Sequence, residues 1–198
     1  MPRPNVEAER RPQILSAACE VIATVGVPEL RLADVAKVAG VSSGTVHYYY
    51  ETKKDVLNAA FVFNLEESLK RREALLHAGK GNLAILNDLV ESYLPKDEVS
   101  HRAWLVWLAL WAEAARDENL QAVNDRLYGQ WRSVVAGVIE AAQEEGSARP
   151  GNAGQMANML IGMLDGLAVQ VLLGSGAMSL AAMRKICKAF IRDVIAQS

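Results

Sequence analysis

Apolar residues recur along this chain at spacings of three and four, and no window alternates apolar with polar over a sustained run. That periodicity belongs to helices packed through one face. Ile14, Ala18, Val21 and Val25 make a first stripe, which Gly26 stops. Pro12 falls in its opening turn, where a missing N–H is harmless. Leu32, Val35, Ala36 and Ala39 make a shorter second stripe, ended by Gly40, and a third segment covers 43–49. A fourth helix starts at Lys53, with Thr52 and Asp55 at capping-box spacing, and runs to about residue 77. Further helices are expected over 82–93, 101–116, 118–145, 153–173 and 179–196. The fold class is all-α, with nine helices, of which the first three suit a small head and the rest a larger body.

The chain of 198 residues is 51% apolar, enough for a sizeable core. Its net charge of −2 makes it no general magnet for nucleic acid. Residues 1–54 carry seven Lys/Arg against six Asp/Glu, which is +1 and leaves −3 for the remainder. Any nucleic-acid role therefore rests on where charges sit and not on their total. Cys19 and Cys187 stand far apart within apolar helical patterns and read as small buried hydrophobes in a reducing compartment. The charged start "MPRPNVEAERR" is no export signal, so the expected location is cytoplasmic. Residues 153–183 carry one charge, Asp165, but the Gly-Ser-Gly at 174–176 interrupts them. They read as a helix pair buried in protein, with no membrane partner.

The stretch "GVSSGTVHYYYETK", residues 40–53, sets three tyrosines side by side on a very short helix. Two short helices joined by a glycine-containing turn form the helix-turn-helix layout. Ala36 is small where helices cross, Gly40 suits a left-handed turn, Val41 and Val46 plug the crossing, and Ser42 can cap the third helix. If Val46 faces the core, steps of 100° send Tyr48 outward, Tyr49 to the edge and Tyr50 inward. Gly44 lies one turn before Tyr48 on the outward row, flanked by Thr45 and His47. Seven helical residues span roughly 10 Å, a fit to a DNA major groove of about 12 Å. Lys53 adds a cation beside free helix N–H groups, an arrangement suited to phosphate.

"LADVAKVAGVSSGTVHYYYETK" resembles the DNA-binding motif of the tetracycline-repressor (TetR) family, through Val35-Ala36, Ala39-Gly40-Val41-Ser42, Gly44-Thr45, His47 to Tyr50 and Lys53. The resemblance implies a double-stranded DNA operator and contacts from Arg31, Ser42, Ser43, Gly44, Thr45, His47, Tyr48, Tyr49 and Lys53. Two departures matter. Leu30-Arg31 stands where the family commonly has Thr-Thr, which removes a cap but offers Arg31 to a phosphate. His47 stands where the family often has Tyr. The implied division is a DNA-binding domain over 1–52 and an effector-binding and dimerisation domain over 53–198.

Trp104, Trp107 and Trp111 share one face of the sixth helix, and Tyr128 and Trp131 one face of the seventh. Such clusters are either core or the wall of a site for a flat or cationic ligand. Glu91, Glu113 and Asp165 are candidate counter-charges. "WLALW" (107–111), "MLDGLAVQVLL" (163–173) and "AFI" (189–191) look like the C-terminal body of the BetI type of choline-sensing repressors. The expected effector is a small molecule of amphipathic, aromatic or quaternary-ammonium class. Gly162 and Gly166 lie one turn apart on a surface a monomer would expose, which points to a homodimer. The family uses the last two helices as its dimer contact, so Gly162, Gly166, Leu167, Val171, Ile186 and Phe190 are the expected interface residues.

Gly40-Val41-Ser42-Ser43-Gly44 matches the serine-hydrolase pattern, but that motif needs a preceding strand and none is expected. His47, His77 and His101 lack metal-ligand spacing, so no metal, cofactor or enzyme activity is expected. The alternative reading is a helical small-molecule-binding or interaction module that does not bind DNA.

Overall fold

The computed structural model describes residues 6–197. Among them the order is α1 (Val6–Glu29), α2 (Leu32–Ala39), α3 (Ser43–Tyr49), α4 (Lys53–Leu76), α5 (Asn82–Tyr93), α6 (Glu98–Ala114), α7 (Glu118–Glu144), α8 (Ala153–Leu172) and α9 (Leu180–Phe190). A π-turn over Ile191–Ile195 follows. No described residue lies in a named strand.

Three boundaries differ from the sequence reading, each for a local reason. The first helix begins at Val6, so Pro12 sits inside it and not in its opening turn; Gly26, at φ 78°, breaks the helix where expected. Val25, in the expected stripe, is exposed just before that break. The sixth helix starts at Glu98 because Asp97 caps it, its carboxylate accepting from the Ser100 N–H at 2.8 Å. The ninth helix ends by widening into the π-turn, a change that leaves no mark on apolar spacing.

The chain divides into two compact units. The first holds the residues up to Ser68 together with Arg102–Leu127. Here α1 packs on α2 and α2 on α3. Ile14, Ala18, Ile22, Val35, Ala36, Val46, Val56 and Phe61 form the core. Burying a side chain of Phe61's size contributes about 1.5–3 kcal/mol. Polar ties fix the angles that apolar packing leaves free. The Gln13 amide donates to the Ala39 carbonyl at 2.6 Å, closing α1 on the end of α2. The Asn64 amide donates to the Ala103 carbonyl at 3.1 Å, joining α4 to α6. Lys54 pairs with Asp117 at 2.9 Å, just ahead of α7.

The second unit holds Leu69–His101 and the chain from Tyr128 onward. In it α8 packs on α9 and α9 on α5. Leu86, Leu89, Leu160, Ile161, Leu164, Met183 and Cys187 are buried. Arg184 donates to both carboxylate oxygens of Glu91, at 2.8 and 2.9 Å, joining α9 to α5. Glu91 is thereby held by Arg184, with Lys96 at 3.7 Å, and is not an idle counter-charge for a ligand. By length and composition α8 could cross a membrane. In the structure one side of it is core, from Ala157 through Leu160 and Leu164 to Ala168.

Candidate DNA-recognition face and effector site

The recognition geometry is built from three local devices. Gly40 adopts φ 65°, ψ 33°, the left-handed conformation that ends α2 at low cost for glycine alone. Ser42 then caps α3, its hydroxyl accepting from the Thr45 N–H at 3.0 Å. At the far end, Thr52 and Asp55 bond reciprocally: the Thr52 N–H donates to the Asp55 carboxylate at 2.9 Å and the Asp55 N–H to the Thr52 hydroxyl at 3.2 Å. Together these caps hold α3 as a rigid short rod between two turns.

On that rod Val46 is fully buried while Tyr48 is 79% exposed and Tyr50 only 7% exposed. Tyr49 is half-buried and meets the edge of Tyr48 at 5.2 Å, the rings 88° apart. The Arg11 guanidinium, on α1, lies 5.7 Å from the Tyr49 ring centre. Ser43, Gly44 and His47 are exposed beside Tyr48. Ser42 and Thr45 share a hydroxyl hydrogen bond of 2.8 Å. Arg31 is exposed at the N-terminus of α2 and makes no side-chain cap; its carbonyl instead accepts from the Asp34 N–H at 3.0 Å, and its cation stands at the helix start. The Lys53 ammonium, expected beside the N–H groups of its own helix, donates instead to the Pro28 carbonyl at 2.9 Å.

In the first unit the α6 indoles gather. Trp104 and Trp107 are buried and Trp111 is half-buried, with Trp111 6.0 Å from Trp104 and 6.2 Å from Trp107 between ring centres. In the second unit Trp131 is buried and stacks on Tyr93, at 5.3 Å with the planes 11° apart. Tyr128, one turn before Trp131, is half-buried. The Tyr93 hydroxyl donates to one oxygen of Asp165 at 3.0 Å. The other Asp165 oxygen and the Trp131 N–H are buried with no hydrogen-bond partner. Burial pushes the Asp165 carboxyl up to about 7, against the opposing hydrogen bond from Tyr93. Arg72, from α4, completes the group: its guanidinium carbon is 5.0 Å from the Trp131 ring centre and 5.4 Å from that of Tyr93.

Two of these residues escaped the sequence reading for plain reasons. Tyr93 falls on the apolar stripe of α5 and reads as core. Arg72 sits in the run Lys70-Arg71-Arg72-Glu73, which reads as a solvated face. Arg11 similarly belongs to a charged N-terminal run.

On α8, Gly162 and Gly166 are exposed, and a methyl group added at either would meet nothing within 4 Å. Met159 and Ile186 are exposed, while Leu167, Val171 and Phe190 are half-buried. Among the described residues no group of three His, Cys, Asp or Glu is placed to hold a metal.

Two family descriptions match the chain. Residues 14–60 match the bacterial regulatory proteins of the tetR family, and 84–196 match the C-terminal part of BetI-type transcriptional repressors. The HTH-type transcriptional regulator BetI of Ectopseudomonas mendocina (strain ymp) is 33% identical over 148 residues, which is 68% of this chain and 74% of that one. The BetI regulator of Proteus mirabilis (strain HI4320) is 30% identical across 96% of this chain and 94% of its own. Among solved structures, a putative transcriptional regulator from Saccharomonospora viridis in complex with choline is 32% identical. It superposes with a TM-score of 0.88 over 96% of this chain and all of that one. A putative TetR-family regulator from Rhodococcus sp. is 27% identical, with a TM-score of 0.86 over 95% of this chain and 99% of its own.

Proposed function

Since the chain belongs to the tetR family of bacterial regulatory proteins and carries a BetI-type repressor body, we propose a division of labour among its residues. The chain is a DNA-binding transcriptional regulator of a family that responds to small molecules. In our reading, residues 1–52 bind a palindromic operator, and residues 53–198 bind the effector and pair two copies, in the bacterial cytoplasm.

The observation that carries DNA recognition is the exposed Tyr48 on a capped helix whose opposite side is pinned by buried Val46. Tyr48, His47, Gly44, Ser43 and Thr45 face the bases. Ser42, Tyr49, Arg31 and Lys53 lie along the rim where phosphates run, and Arg11 joins them through Tyr49. The two heads must stand about one DNA turn apart, or a multiple of it, to read a palindrome. The dimer forms through the open face of α8 with α9. Glycine inside a helix costs about 1 kcal/mol relative to alanine, and among the described residues none lies within 4 Å of a Cβ added at Gly162 or Gly166.

The effector is a small quaternary ammonium of the choline type. The stacked Tyr93–Trp131 pair already holds a cation at its face, and the adjacent Asp165 has an unpartnered carboxylate oxygen. Tyr128, one turn before Trp131 on α7 and half-buried, supplies further aromatic surface in the same unit. The choline bound by the Saccharomonospora viridis regulator supports this class. Ammonium binding favours a form with the wrong head spacing and shifts the population off DNA.

The test is a mobility-shift titration with operator DNA selected from a random library by the protein itself. Affinity should fall steeply with salt, as phosphate contacts require, and choline should release the DNA saturably. Salt-insensitive or absent DNA binding would support the alternative of a non-DNA interaction module.

A further inference from the structure

The Tyr93–Trp131 pair is filled by the protein's own cation. Arg72 is 8% exposed, and its guanidinium lies within cation–π range of both rings at once, 5.4 and 5.0 Å from their centres. It is held there by Ser92: Nε donates to the Ser92 hydroxyl at 2.8 Å and Nη2 to the Ser92 carbonyl at 3.3 Å. The Ser92 hydroxyl donates in turn to the Leu89 carbonyl at 2.7 Å, so the holder is itself fixed. A second cation set against these rings on the side of Arg72 would stand beside the guanidinium, and like charges that close repel.

We infer that Arg72 is the resident cation of the effector site: an incoming ammonium takes its place over Tyr93 and Trp131, and the displacement of Arg72 is the step that signals to the DNA-binding head. The inference rests on the ammonium reading of this site. Its second half follows from where Arg72 is attached. Arg72 belongs to α4, the continuous helix Lys53–Leu76. The opening turn of that helix is the capping box that directly follows the recognition helix. Arg72 and Lys53 thus lie on one helix, which gives a displacement at Arg72 a covalent route toward the recognition segment. The resident also sets specificity. A ligand must outcompete a guanidinium that is already desolvated and hydrogen-bonded, so a neutral aromatic molecule has no means of displacing it. Burial pushes Arg72 down to about 10, the direction expected of a cation kept in a costly place. Moving it to water relieves that cost.

The experiment uses the full-length protein and choline as probe, with binding measured by calorimetry and operator affinity measured separately. Arg72→Met removes the charge and keeps an unbranched stem. It should bind choline about tenfold tighter or more, since the competing occupant is gone, and its operator affinity should no longer depend on choline. Ser92→Ala loosens the resident without touching the rings and should bind choline a few-fold tighter while still releasing DNA. It decides the matter alone if Arg72→Met fails to fold. Choline affinity no tighter than wild type in the variants that fold, or an Arg72→Met protein that still releases its operator with choline, would overturn the inference. If neither wild type nor variants bind any ammonium, the effector reading fails and this inference with it. Wild-type binding without a gain in the variants sinks the inference alone.

Discussion

Tyr48 and Tyr50 are two residues apart on one short segment and stand on opposite sides of it, one 79% exposed and the other 7% exposed. The aromatic run thus divides three ways in sequence: an exposed ring, a half-buried ring at the edge and a core wedge. Tyr48→Ala should weaken operator binding by about 1–3 kcal/mol and leave thermal unfolding unchanged. Tyr50→Ala should cost about 3 kcal/mol or more of stability, as large aromatic truncations in cores do. Melting curves and mobility shifts on both proteins check this, and exchanged phenotypes would reverse the facing of α3.

Gly166→Leu tests the dimer through a contrast of signs. In an isolated chain the change should be neutral or stabilising, because helix propensity rises and a Cβ there meets nothing. In a dimer that uses this face the same side chain separates the helices. Sedimentation should therefore show a folded monomer, and DNA affinity should collapse because two half-sites are no longer tethered. A variant that sediments as wild type would move the interface off α8.

Much of the head was legible because its constraints are local. Gly40, Ser42 and the Thr52/Asp55 pair each act within four residues, so spacing alone predicts the turn, the cap and the capping box that the structure contains. Tyr48 followed from counting 100° per residue from Val46. The aromatic centre of the second unit was not legible in the same way. Trp131, Tyr93, Asp165 and Arg72 come from four helices far apart in sequence, and each has an ordinary local reading. Nothing in the run of charges at 70–73 marks Arg72 as the one that turns inward. Only packing decides that. Asp165 was visible as the lone charge in 153–183, which gave its oddity but not its partner, the Tyr93 hydroxyl.

Asp165 gives the protein a pH signature. Its carboxyl is pushed up from 3.8 to about 7 by burial, so the folded protein holds a proton that the unfolded chain releases between those values. Stability should therefore decline as pH rises through that window, with a slope of up to roughly 1.4 kcal/mol per pH unit from this group. The facing groups are Tyr93, which donates to it, and Arg72 beyond the Tyr93 ring. In the ammonium reading proposed above the Asp165 carboxylate is the counter-charge, so choline affinity should rise about tenfold per unit below pH 7 and flatten above it. Asp165→Asn keeps an acceptor for Tyr93 and removes the titration. Denaturant melts and calorimetry across pH 5–8 should show both slopes lost and choline bound about tenfold more weakly. Unchanged slopes in the variant would assign them to another group.

Tryptophan fluorescence separates the two aromatic groups as the seat of the effector. Choline should quench wild-type emission saturably, over the same concentrations that release DNA. Trp131→Leu should remove most of that quench, because its ring lies under the cation. Both Trp131→Leu and Tyr93→Leu should weaken choline by about 0.5–2 kcal/mol each. The two effects should not add, since the rings act as one stacked surface at 5.3 Å. Trp104→Leu should chiefly lower stability, as a buried indole does. Trp107→Leu and Trp111→Leu should shift choline affinity by less than about twofold, these rings being occupied with one another on α6. If instead the α6 replacements abolish binding while Trp131→Leu and Tyr93→Leu bind normally, the ammonium sits against the Trp107–Trp111 face, and Asp165 and Arg72 lose their part in the response.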